Sequence, residues 1–530
     1  MAAGLLVLLP SCARIGNYAE EKANHAAYGN IRGAQISSFG ESDPFTINSE
    51  DDELVRALLH SDRQADNPEL LSLADALAIA MANSRSYQTR KENLFIQALN
   101  LTEVQKDFNW DYSASVDSDV SLSESFGNNG VDTKIEAGMK RTLASGATIT
   151  LDFTQNLVNY FTNPDGSSDD NSLSFKIIQP LLNGFGPLVT MEPLRQAERS
   201  MVYTVRDFKR FQQDFVIEIA SEYYSVLRTL DQLNNERKNY ESSISNREQS
   251  ESYAKAGRIA DFEAAQARQS ELNAADRWTL SRSSYQKALD DFRFTLGLPV
   301  DLNVEANPDE LKILENRGLV ELDITLDAAL ENASSNRLDL VNSRQQVEDK
   351  ERNVEIQQRN FLPKLGVTYD ASKALDPNSD VDQKLNFNLN LPFDWTEKRN
   401  DFRIAQISLD REKRSLEEDE DDVQRSVRDL WRKLERNRSV YQNRLLSVRL
   451  SERRVENTTL LLKQGKALTR DLLDAEDDLL SSKNEATAAL VDYTINRLRF
   501  WDAIERFEID PKGMWYEQQN GNDEGPVATP

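Results

Sequence analysis

The chain has 530 residues, a net charge of −26 at pH 7 and a mean hydropathy of −0.62. Because the composition is strongly acidic, nucleic acid and anionic lipid surfaces are unfavourable partners. No run of about 18 apolar residues is present, so the sequence predicts no transmembrane helix. The strands of an outer-membrane β-barrel alternate in polarity and would not produce such a run.

Residues 1–12 have the pattern of an export signal. The apolar run Leu5–Leu9 leads through Pro10 and Ser11 to Cys12, which is the single cysteine of the chain. This segment resembles a bacterial lipoprotein signal, although Pro10 is unusual there and no Lys or Arg precedes the apolar run. We therefore predict a signal peptide and lipidation at Cys12. The alternative is an ordinary secretory signal with an incidental cysteine.

A long internal repeat organises the rest of the chain. The residues Leu73, Ala76, Leu77, Ala80, Asn83, Asn100, Gln105 and Phe108 recur without a gap as Leu326, Ala329, Leu330, Ala333, Asn336, Asn353, Gln358 and Phe361. The offset between the copies is too long for a solenoid unit. It predicts two intertwined halves of one symmetric structure, not unrelated domains.

The two copies predict the same order of elements. We expect an extended N-terminal arm over residues 13–70, a first copy over 71–300, a linker over 301–322, a second copy over 323–510 and an acidic flexible tail over 511–530. Within the first copy, a helix capped by Ser72 and running to about Phe108 precedes strands over 111–180, a long helix over 188–256 and a helix over 261–296. Within the second copy, a helix precedes strands over 365–391, a long helix over 398–464 and a helix over 469–507.

The strand regions alternate between apolar and polar residues with a period of two. Val116 and Val120, for example, alternate with Asp117 and Asp119. A membrane barrel shows this alternation with apolar residues outward, and soluble half-buried hairpins show it as well. The first set of strands also contains an extra hairpin around Ser145.

The two long helices carry apolar residues at spacings of three and four, which predicts packing along other helices in a coiled coil. Each helix would span roughly 100 Å at about 1.5 Å per residue. Each ends at a glycine, Gly257 or Gly465, which suits a left-handed cap and a reversal of the chain. A cation, Arg258 or Lys466, follows each glycine.

The repeat and both glycine tips resemble those of the TolC-type outer-membrane efflux proteins. So do the segments 179–187 (QPLLNGFGP) and 465–475 (GKALTRDLLDA), and the resemblance covers about residues 71–508. It implies a mainly α fold with a membrane β-barrel, in a homotrimer whose protomers lend strands to one shared barrel in outer-membrane lipid. Their helices would form a trimeric α-barrel coiled coil in the periplasm.

The family resemblance also implies the function of an exit duct for efflux or type I secretion. A periplasmic adaptor protein and an inner-membrane pump would dock onto it, and the tips formed by Gly257, Arg258, Gly465 and Lys466 would be the adaptor-docking surface. The duct itself would do no chemistry. The alternative is a non-conducting coiled-coil scaffold of the cell envelope, which would have no use for alternating strands at two repeat-related places.

The resemblance further implies acidic residues at the periplasmic entrance. Asp471 and Asp474 stand six and nine residues after the second tip glycine, where the family places its acidic rings. Glu263 stands six residues after Gly257 in the first copy. The gating arginine of the family is replaced by Ala467. The alternative is that these carboxylates only complement a helix N-terminus.

Enzymatic functions are poorly supported by the sequence. The two histidines, His25 and His60, both lie in the N-terminal arm, and one cysteine cannot form a metal cluster. No phosphate-binding loop or nucleophile motif occurs. We therefore expect neither catalytic activity nor a metal or cofactor.

Overall fold

A computed structural model describes residues 12–48, 68–121, 130–160, 168–376, 378–391, 393–509 and 515–517. The chain divides into two compact units. The first unit comprises Met1–Phe45, Asn93–Arg206 and Asn342–Glu418, and the second comprises Thr46–Glu92, Asp207–Val341 and Asp419–Pro530. Each unit takes segments from both copies of the repeat, so the copies are intertwined within each unit.

The helices and strands follow the duplicated order expected from the sequence. The helices are α1 (Cys12–Phe39), α2 (Leu73–Asn83), α3 (Arg85–Lys106), α4 (Pro187–Thr190), α5 (Glu192–Lys255), α6 (Asp261–Thr295), α7 (Asp309–Arg317), α8 (Leu326–Asn336), α9 (Leu338–Arg359), α10 (Thr396–Lys463) and α11 (Thr469–Ala503). The strands are β1 (Glu69–Leu71), β2 (Asp111–Ser121), β3 (Gly130–Thr142), β4 (Thr148–Tyr160), β5 (Ser168–Pro180), β6 (Val304–Ala306), β7 (Lys364–Ala374), β8 (Val381–Asn390), β9 (Phe507–Ile509) and β10 (Trp515–Glu517).

The lengths of the helices show the repeat directly. Helices α2 and α8 have 11 residues each, and α3 and α9 have 22 residues each. The long helices α5 and α10 have 64 and 68 residues, and both returning helices have 35. The predicted duplication of helix, strands, long helix and returning helix is therefore confirmed. No helix among the described residues is both long and apolar enough to cross a membrane.

The first unit contains a six-stranded sheet in the order β2-β3-β4-β5-β7-β8. Every neighbouring pair is antiparallel. The pairing of β5 with β7 joins the first copy of the repeat to the second. The two copies therefore share one continuous sheet.

The segment 179–187 connects the sheet to the long helix of the first copy and also donates hydrogen bonds to the second copy. The Leu181 N–H donates to the Leu365 carbonyl at 2.7 Å. The Asn183 side chain donates to the carbonyls of Asn360 and Leu362 at 3.0 and 3.3 Å. These bonds hold the α9–β7 connection of the second copy against the end of β5.

The second unit contains a large apolar core. Strand β1 pairs in parallel with β6 at its edge. The large side chains that are completely buried include Phe215 and Tyr223 of α5, Phe292 of α6 and Phe500 of α11. Burial of aromatic side chains of this size dominates core energetics, so the long and returning helices are held together here mainly by apolar packing.

Ser72 caps helix α2, as expected from the sequence. Its hydroxyl accepts a hydrogen bond from the Asp75 N–H at 3.2 Å, and the Asp75 carboxylate accepts one from the Ser72 N–H at 3.1 Å. This reciprocal capping box satisfies two N–H groups at the helix start. The predicted single helix to Phe108 is wrong, however, because Ser84 has an extended conformation and separates α2 from α3.

The N-terminal segment, expected as an extended arm over residues 13–70, contains helix α1. Ala27 and Ile31 of this helix are completely or almost completely buried. The ring of Tyr28 lies 5.3 Å from that of Phe95. Tertiary packing of this short apolar stripe therefore gives a helix where the polar composition predicted none.

Three further expectations need correction. The linker over 301–322 contains β6 and α7, and it is ordered by the parallel pairing of β6 with β1. The last helix, predicted through Phe507, ends at Ala503 because Glu505 takes a left-handed φ of 56° and turns the chain into β9. Within the predicted flexible tail, β10 pairs with β9 in antiparallel fashion.

Several predicted features lie outside the described residues. They are the signal segment over 1–11, residues 49–67 of the expected arm, and residues 511–514 and 518–530 of the tail.

Candidate functional site

The six-stranded sheet has one apolar face and one polar face. The register aligns Val116 with Ile135 and Leu151 with Phe175, so side chains of like polarity meet across neighbouring strands. The apolar face is formed by Tyr112, Val116, Val120, Ile135, Met139, Leu151, Phe153, Leu173, Phe175, Ile177, Leu365, Val367, Tyr369, Leu385, Phe387 and Leu389. In a membrane barrel this pattern places the apolar face in lipid, and in a soluble protein it places that face on a core.

The polar face carries hydroxyl, amide and charged side chains. It is formed by residues including Ser113, Ser115, Asp117, Lys134, Glu136, Asp152, Thr154, Ser172, Ser174, Lys176, Asp370, Ser372, Asp382, Lys384 and Asn386. Lys134 pairs with Glu136 at 2.6 Å, and Lys176 pairs with Asp370 at 3.6 Å. Exposed charges of both signs indicate that water lies against this face.

The apolar face is uncovered at both edges of the sheet, and most of its side chains on the inner strands are half-buried. Tyr112 of β2 is 70% exposed and Phe387 of β8 is 69% exposed. An exposed apolar band of this extent marks a surface that contacts lipid or another chain.

The two edges of the sheet are open. Among the described strands, β2 pairs only with β3, and β8 pairs only with β7. All residues of both edge strands are exposed. Because the sheet is antiparallel and has an even number of strands, its edge strands run in opposite directions. Each edge therefore offers unpaired N–H and C=O groups that favour pairing with another chain.

The two predicted tips have the same backbone geometry. Gly257 and Gly465 have φ values of 69° and 71°, and a Cβ added to either glycine would meet no described atom within 4 Å. The Arg258 N–H donates to the Tyr253 carbonyl, and the Lys466 N–H donates to the Leu461 carbonyl, each at 2.9 Å. These are helix-ending motifs that require a left-handed residue, and Arg258 and Lys466 are exposed.

The predicted entrance acids lie at the starts of the returning helices in the second unit. The half-buried Asp471 accepts a hydrogen bond from the Leu468 N–H at 3.1 Å and therefore caps α11. Glu263 of α6 accepts a hydrogen bond from the Thr469 hydroxyl at 3.4 Å. Asp474 is exposed to solvent. The structure thus brings Glu263 beside the first turn of α11 and gives Asp471 a structural role.

Cys12 is the first residue of α1. Its side chain lies outside the described residues, so its acylation stays a prediction.

Polar contacts between the helices of the second unit were not identified from the sequence. Arg277 of α6 pairs with Asp477 of α11 at 2.9 Å and lies 3.5 Å from Glu236 of α5. Glu476 accepts hydrogen bonds from Ser242 and Asn246 of α5 at 2.8 and 2.6 Å, and burial raises the pKa of its carboxyl. Their positions beside the apolar stripes are the only sequence signal that could have indicated these contacts.

A group of charges around the buried Asp502, the Arg210 cluster, was also missed. It consists of Arg210, Asp339, Asp502 and Glu505. The Arg210 guanidinium lies 3.2 Å from the Glu505 carboxylate and 3.9 Å from that of Asp339. This ion pairing holds the left-handed Glu505 in place, a conformation that costs roughly 1–2 kcal/mol in a residue with a Cβ.

We expect the Arg210 cluster to make stability depend on pH. Asp502 is only 8% exposed, and burial, with a contribution from the nearby Asp214, raises its pKa from 3.8 to about 7. The folded state therefore holds a proton that the unfolded state releases near pH 4, so this stabilisation is lost as pH rises through about 7. The thermal unfolding temperature of the purified protein should fall between pH 5 and 8.

The variant Asp502→Asn should flatten this pH dependence, because the amide cannot ionise. Asp492→Asn changes an exposed acid of the same helix and should keep the wild-type slope. Circular dichroism at 222 nm across this pH range measures both. Equal slopes for Asp502→Asn and the wild type would contradict the assignment.

No protein-family model and no curated protein matches the sequence. The structure, in contrast, is similar to solved channel structures. The CmeC outer membrane channel of Campylobacter jejuni has a TM-score of 0.61 at 13% identity, covering 82% of this chain and 85% of that chain. CusC, for which transmembrane channel formation is described, has a TM-score of 0.61 at 12% identity, covering 87% and 96%.

The open state of the MtrE outer membrane channel of Neisseria gonorrhoeae has a TM-score of 0.59 at 15% identity, covering 82% of this chain and 88% of that chain. At these identities the similarity is one of fold. The chain has the fold of the outer-membrane channel proteins, as its resemblance to the TolC type implied.

Proposed function

We propose that this chain is the outer-membrane channel of a tripartite efflux or type I secretion system. Three copies would form one passive exit duct, with their sheets closing a shared barrel in the outer membrane and their helices forming a barrel in the periplasm. A periplasmic adaptor and an inner-membrane pump would supply the cargo and the energy. The duct itself would be no enzyme.

The observation that carries this proposal is the two-faced, open-edged sheet. All six strands contribute apolar side chains to one face, the opposite face is charged, and both edge strands lack a second neighbour among the described strands. A barrel closed between copies pairs both edges, places the apolar face in lipid and encloses the polar face around water. A coiled-coil scaffold provides none of these three environments.

The adaptor-docking role of the tips is supported by their geometry. Both are exposed reversals at the ends of long helices, and both present a cation immediately after the glycine. Because the two tips have the same backbone geometry, each copy of the repeat would present a similar surface to the adaptor. Lipidation at Cys12 would add a membrane anchor, which by itself gives only reversible attachment.

The central prediction is that the protein is a conducting trimer of the outer membrane. Expressed in a Gram-negative host, it should require detergent for extraction, have the mass of three chains and form channels in planar lipid bilayers. Mass spectrometry of the mature chain should show an acylated Cys12. Cys12→Ser should remain trimeric in the membrane, because the barrel holds it there.

A protein that is released without detergent and conducts no ions would instead support the scaffold alternative. If the trimer conducts but Cys12 is unmodified, only the prediction of lipidation is contradicted, and the proposed channel function stands.

Substitution at a tip should impair export without preventing assembly. Gly465→Val forces a β-branched residue into a left-handed conformation at a cost of roughly 1–2 kcal/mol, so it should distort the tip and abolish export with trimers retained. Gly318→Val is the control for strain away from the tips. Gly318 ends α7 with a φ of 65° and a ψ of −148°, a conformation that only glycine readily adopts, and it has open space around it but lies away from both tips in the sequence.

A cysteine at position 466 should crosslink to the adaptor in a Cys12→Ser background. Wild-type export by Gly465→Val, together with no crosslink from position 466, would show that the tips are not the docking surface.

The entrance acids should make the channel select cations. Three copies of Asp471 and Asp474 around a common axis would attract cations and repel anions. The double variant Asp471→Asn with Asp474→Asn should lower the cation-to-anion permeability ratio by about twofold or more and weaken block by multivalent cations. Asn at position 471 can still accept the capping hydrogen bond, so the fold should survive.

The control for this experiment is Asp477→Asn, which removes one negative charge per chain from an acid of α11 that pairs with Arg277, and each single variant, Asp471→Asn and Asp474→Asn, is compared with it. Planar-bilayer recordings in a salt gradient measure the permeability ratio. If the double variant and the control behave alike, these acids do not line the conduction path.

A further inference from the structure

We propose that the extra hairpin β3–β4 is a full part of the channel wall. Three copies of the six-stranded sheet would then close a barrel of 18 strands. The family resemblance implies two strands per copy of the repeat, hence four per chain and a barrel of 12. This inference rests on the proposed trimeric channel and specifies the width of its membrane pore.

The internal repeat identifies β3 and β4 as the addition. Strands β2 and β7 correspond, since Asp111 and Lys364 begin them at the repeat offset of 253 residues. Strands β5 and β8 also correspond, because each leads into the long helix of its copy. Between β7 and β8 the second copy has only a short connection, so β3 and β4 have no counterpart there.

The hairpin lies inside the sheet and not beside it. Strand β3 pairs along β2, β4 pairs along β3, and β5 pairs along β4. Strands β3, β4 and β5 have 13 residues each. The hairpin therefore fills the same height of the wall as β5 and does not extend beyond one rim.

Strands β3 and β4 also place their apolar and polar side chains on the same faces as the neighbouring strands do. On one face, Ile135 lies opposite Val116, and Leu151 lies opposite Phe175. On the other face, Glu136 lies opposite Ser115. The added strands thus continue both faces over most of their length, with Met139 opposite Leu151 and Phe153 opposite Leu173, while Gln155 lies opposite Ile135 on the otherwise apolar face.

The turn of the hairpin is built into the strand-to-helix junction. Gly146 has a φ of 88°, and a Cβ there would lie 2.4 Å from the Gly184 carbonyl oxygen. The Gly186 N–H donates to the Ser145 carbonyl at 3.1 Å. The Gln179 amide donates to the same carbonyl at 3.2 Å, and the Ser145 hydroxyl donates to the Gln179 side-chain oxygen at 3.2 Å. These contacts hold the turn against the strand-to-helix junction and thereby keep the hairpin in the plane of the sheet.

The edges of the sheet fit closure between copies. Strands β2 and β8 have 11 and 10 residues and run in opposite directions. Strand β8 of one copy can therefore pair with β2 of the next in the antiparallel sense used by all other pairs of the sheet. Both edges also place their apolar residues on the same face as the rest of the wall.

The added hairpins would widen the pore by half. With strands about 4.8 Å apart and tilted by about 40°, a barrel of 18 strands has a backbone diameter of about 36 Å, and one of 12 strands has about 24 Å. A barrel of the larger size encloses an aqueous channel. The barrel would therefore pass bulkier cargo than a 12-stranded one.

Electron cryo-microscopy of the purified trimer in lipid nanodiscs tests this directly. We expect 18 strands and a barrel about 36 Å across. A trimer with 12 strands in the wall would overturn the inference and leave the proposed function standing. A particle that is not a trimer, or has no membrane barrel, would overturn both.

A deletion of residues 130–160 provides a second test. It removes β3 and β4 and lets β2 meet β5 in the antiparallel sense with Ser113 and Ser174 still on one face. If the deletion variant assembles, its barrel should shrink by about a third, to roughly 24 Å. An unchanged diameter would show that the hairpin is not in the wall.

Cysteine crosslinking gives a result even if the deletion variant does not assemble. In a Cys12→Ser background, a cysteine at position 116 of β2 should crosslink to cysteines placed along 385–389 of β8 in a neighbouring copy. A cysteine at position 135 of β3 should give no crosslink between copies. Crosslinks from position 135 to the neighbouring β8 would contradict the strand order that we propose.

Discussion

The antiparallel pairing of β5 with β7 is the contact on which the sheet depends. It is the one strand pairing within the sheet that joins the two copies of the repeat. Without it, the chain would have a four-stranded and a two-stranded sheet, each with two edges, and a two-stranded hairpin is at best marginally stable. The bonds of Asn183 to the carbonyls of the α9–β7 connection fix this pairing at its end. This register keeps the apolar residues of β7 and β8 on the same face as those of β5, because a shift by one residue would turn every side chain of β7 and β8 to the opposite face.

In the second unit, the returning helix α11 ends within the apolar core, and this end depends on a strained residue. Helix α11 stops at Ala503, and Glu505 then adopts a left-handed conformation without being glycine. Such strain persists only where the surroundings hold it. The Arg210 cluster does so by pairing Glu505 with a guanidinium from α5. The cost is a second carboxyl, Asp502, which is buried in the same place and whose pKa is raised to about 7.

Much of this architecture could be predicted from the sequence, because the patterns that indicate its helices and strands are local and occur in both copies of the repeat. The alternation around Val116 has a period of two, and each long helix ends at a glycine that takes a positive φ. Helix α1 was missed because its buried stripe, Ala27 and Ile31, is short and interrupted by polar residues and glycines. Strands β1 and β6 have three residues each, too few to show any period.

The positions of the predicted entrance acids on their helix could also be derived from the sequence, whereas their role at an entrance stays a prediction. The spacing of Asp471 and Asp474 after a tip glycine placed both acids in the first turns of α11. Their local roles differ, however, since Asp471 caps the helix and Asp474 is exposed. The Arg210 cluster could not be found in this way, because Arg210 and Glu505 are almost 300 residues apart and only tertiary packing brings them together.

Strands can be added to this antiparallel sheet ahead of β5 only in even numbers. With a single added strand, β5 would run in the opposite direction and end at the far end of the sheet, away from the start of α5. Two added strands restore both the direction of β5 and the face on which its apolar residues lie. Such a pair needs one new turn at the end of the sheet where the helices begin, and this end is already occupied by the segment 179–187. The turn at Gly146 fits there only because a residue without a side chain approaches the Gly184 carbonyl. A wall built from antiparallel strands can therefore be widened by hairpins inserted in one copy of the repeat, while the helices that follow keep their original starting points.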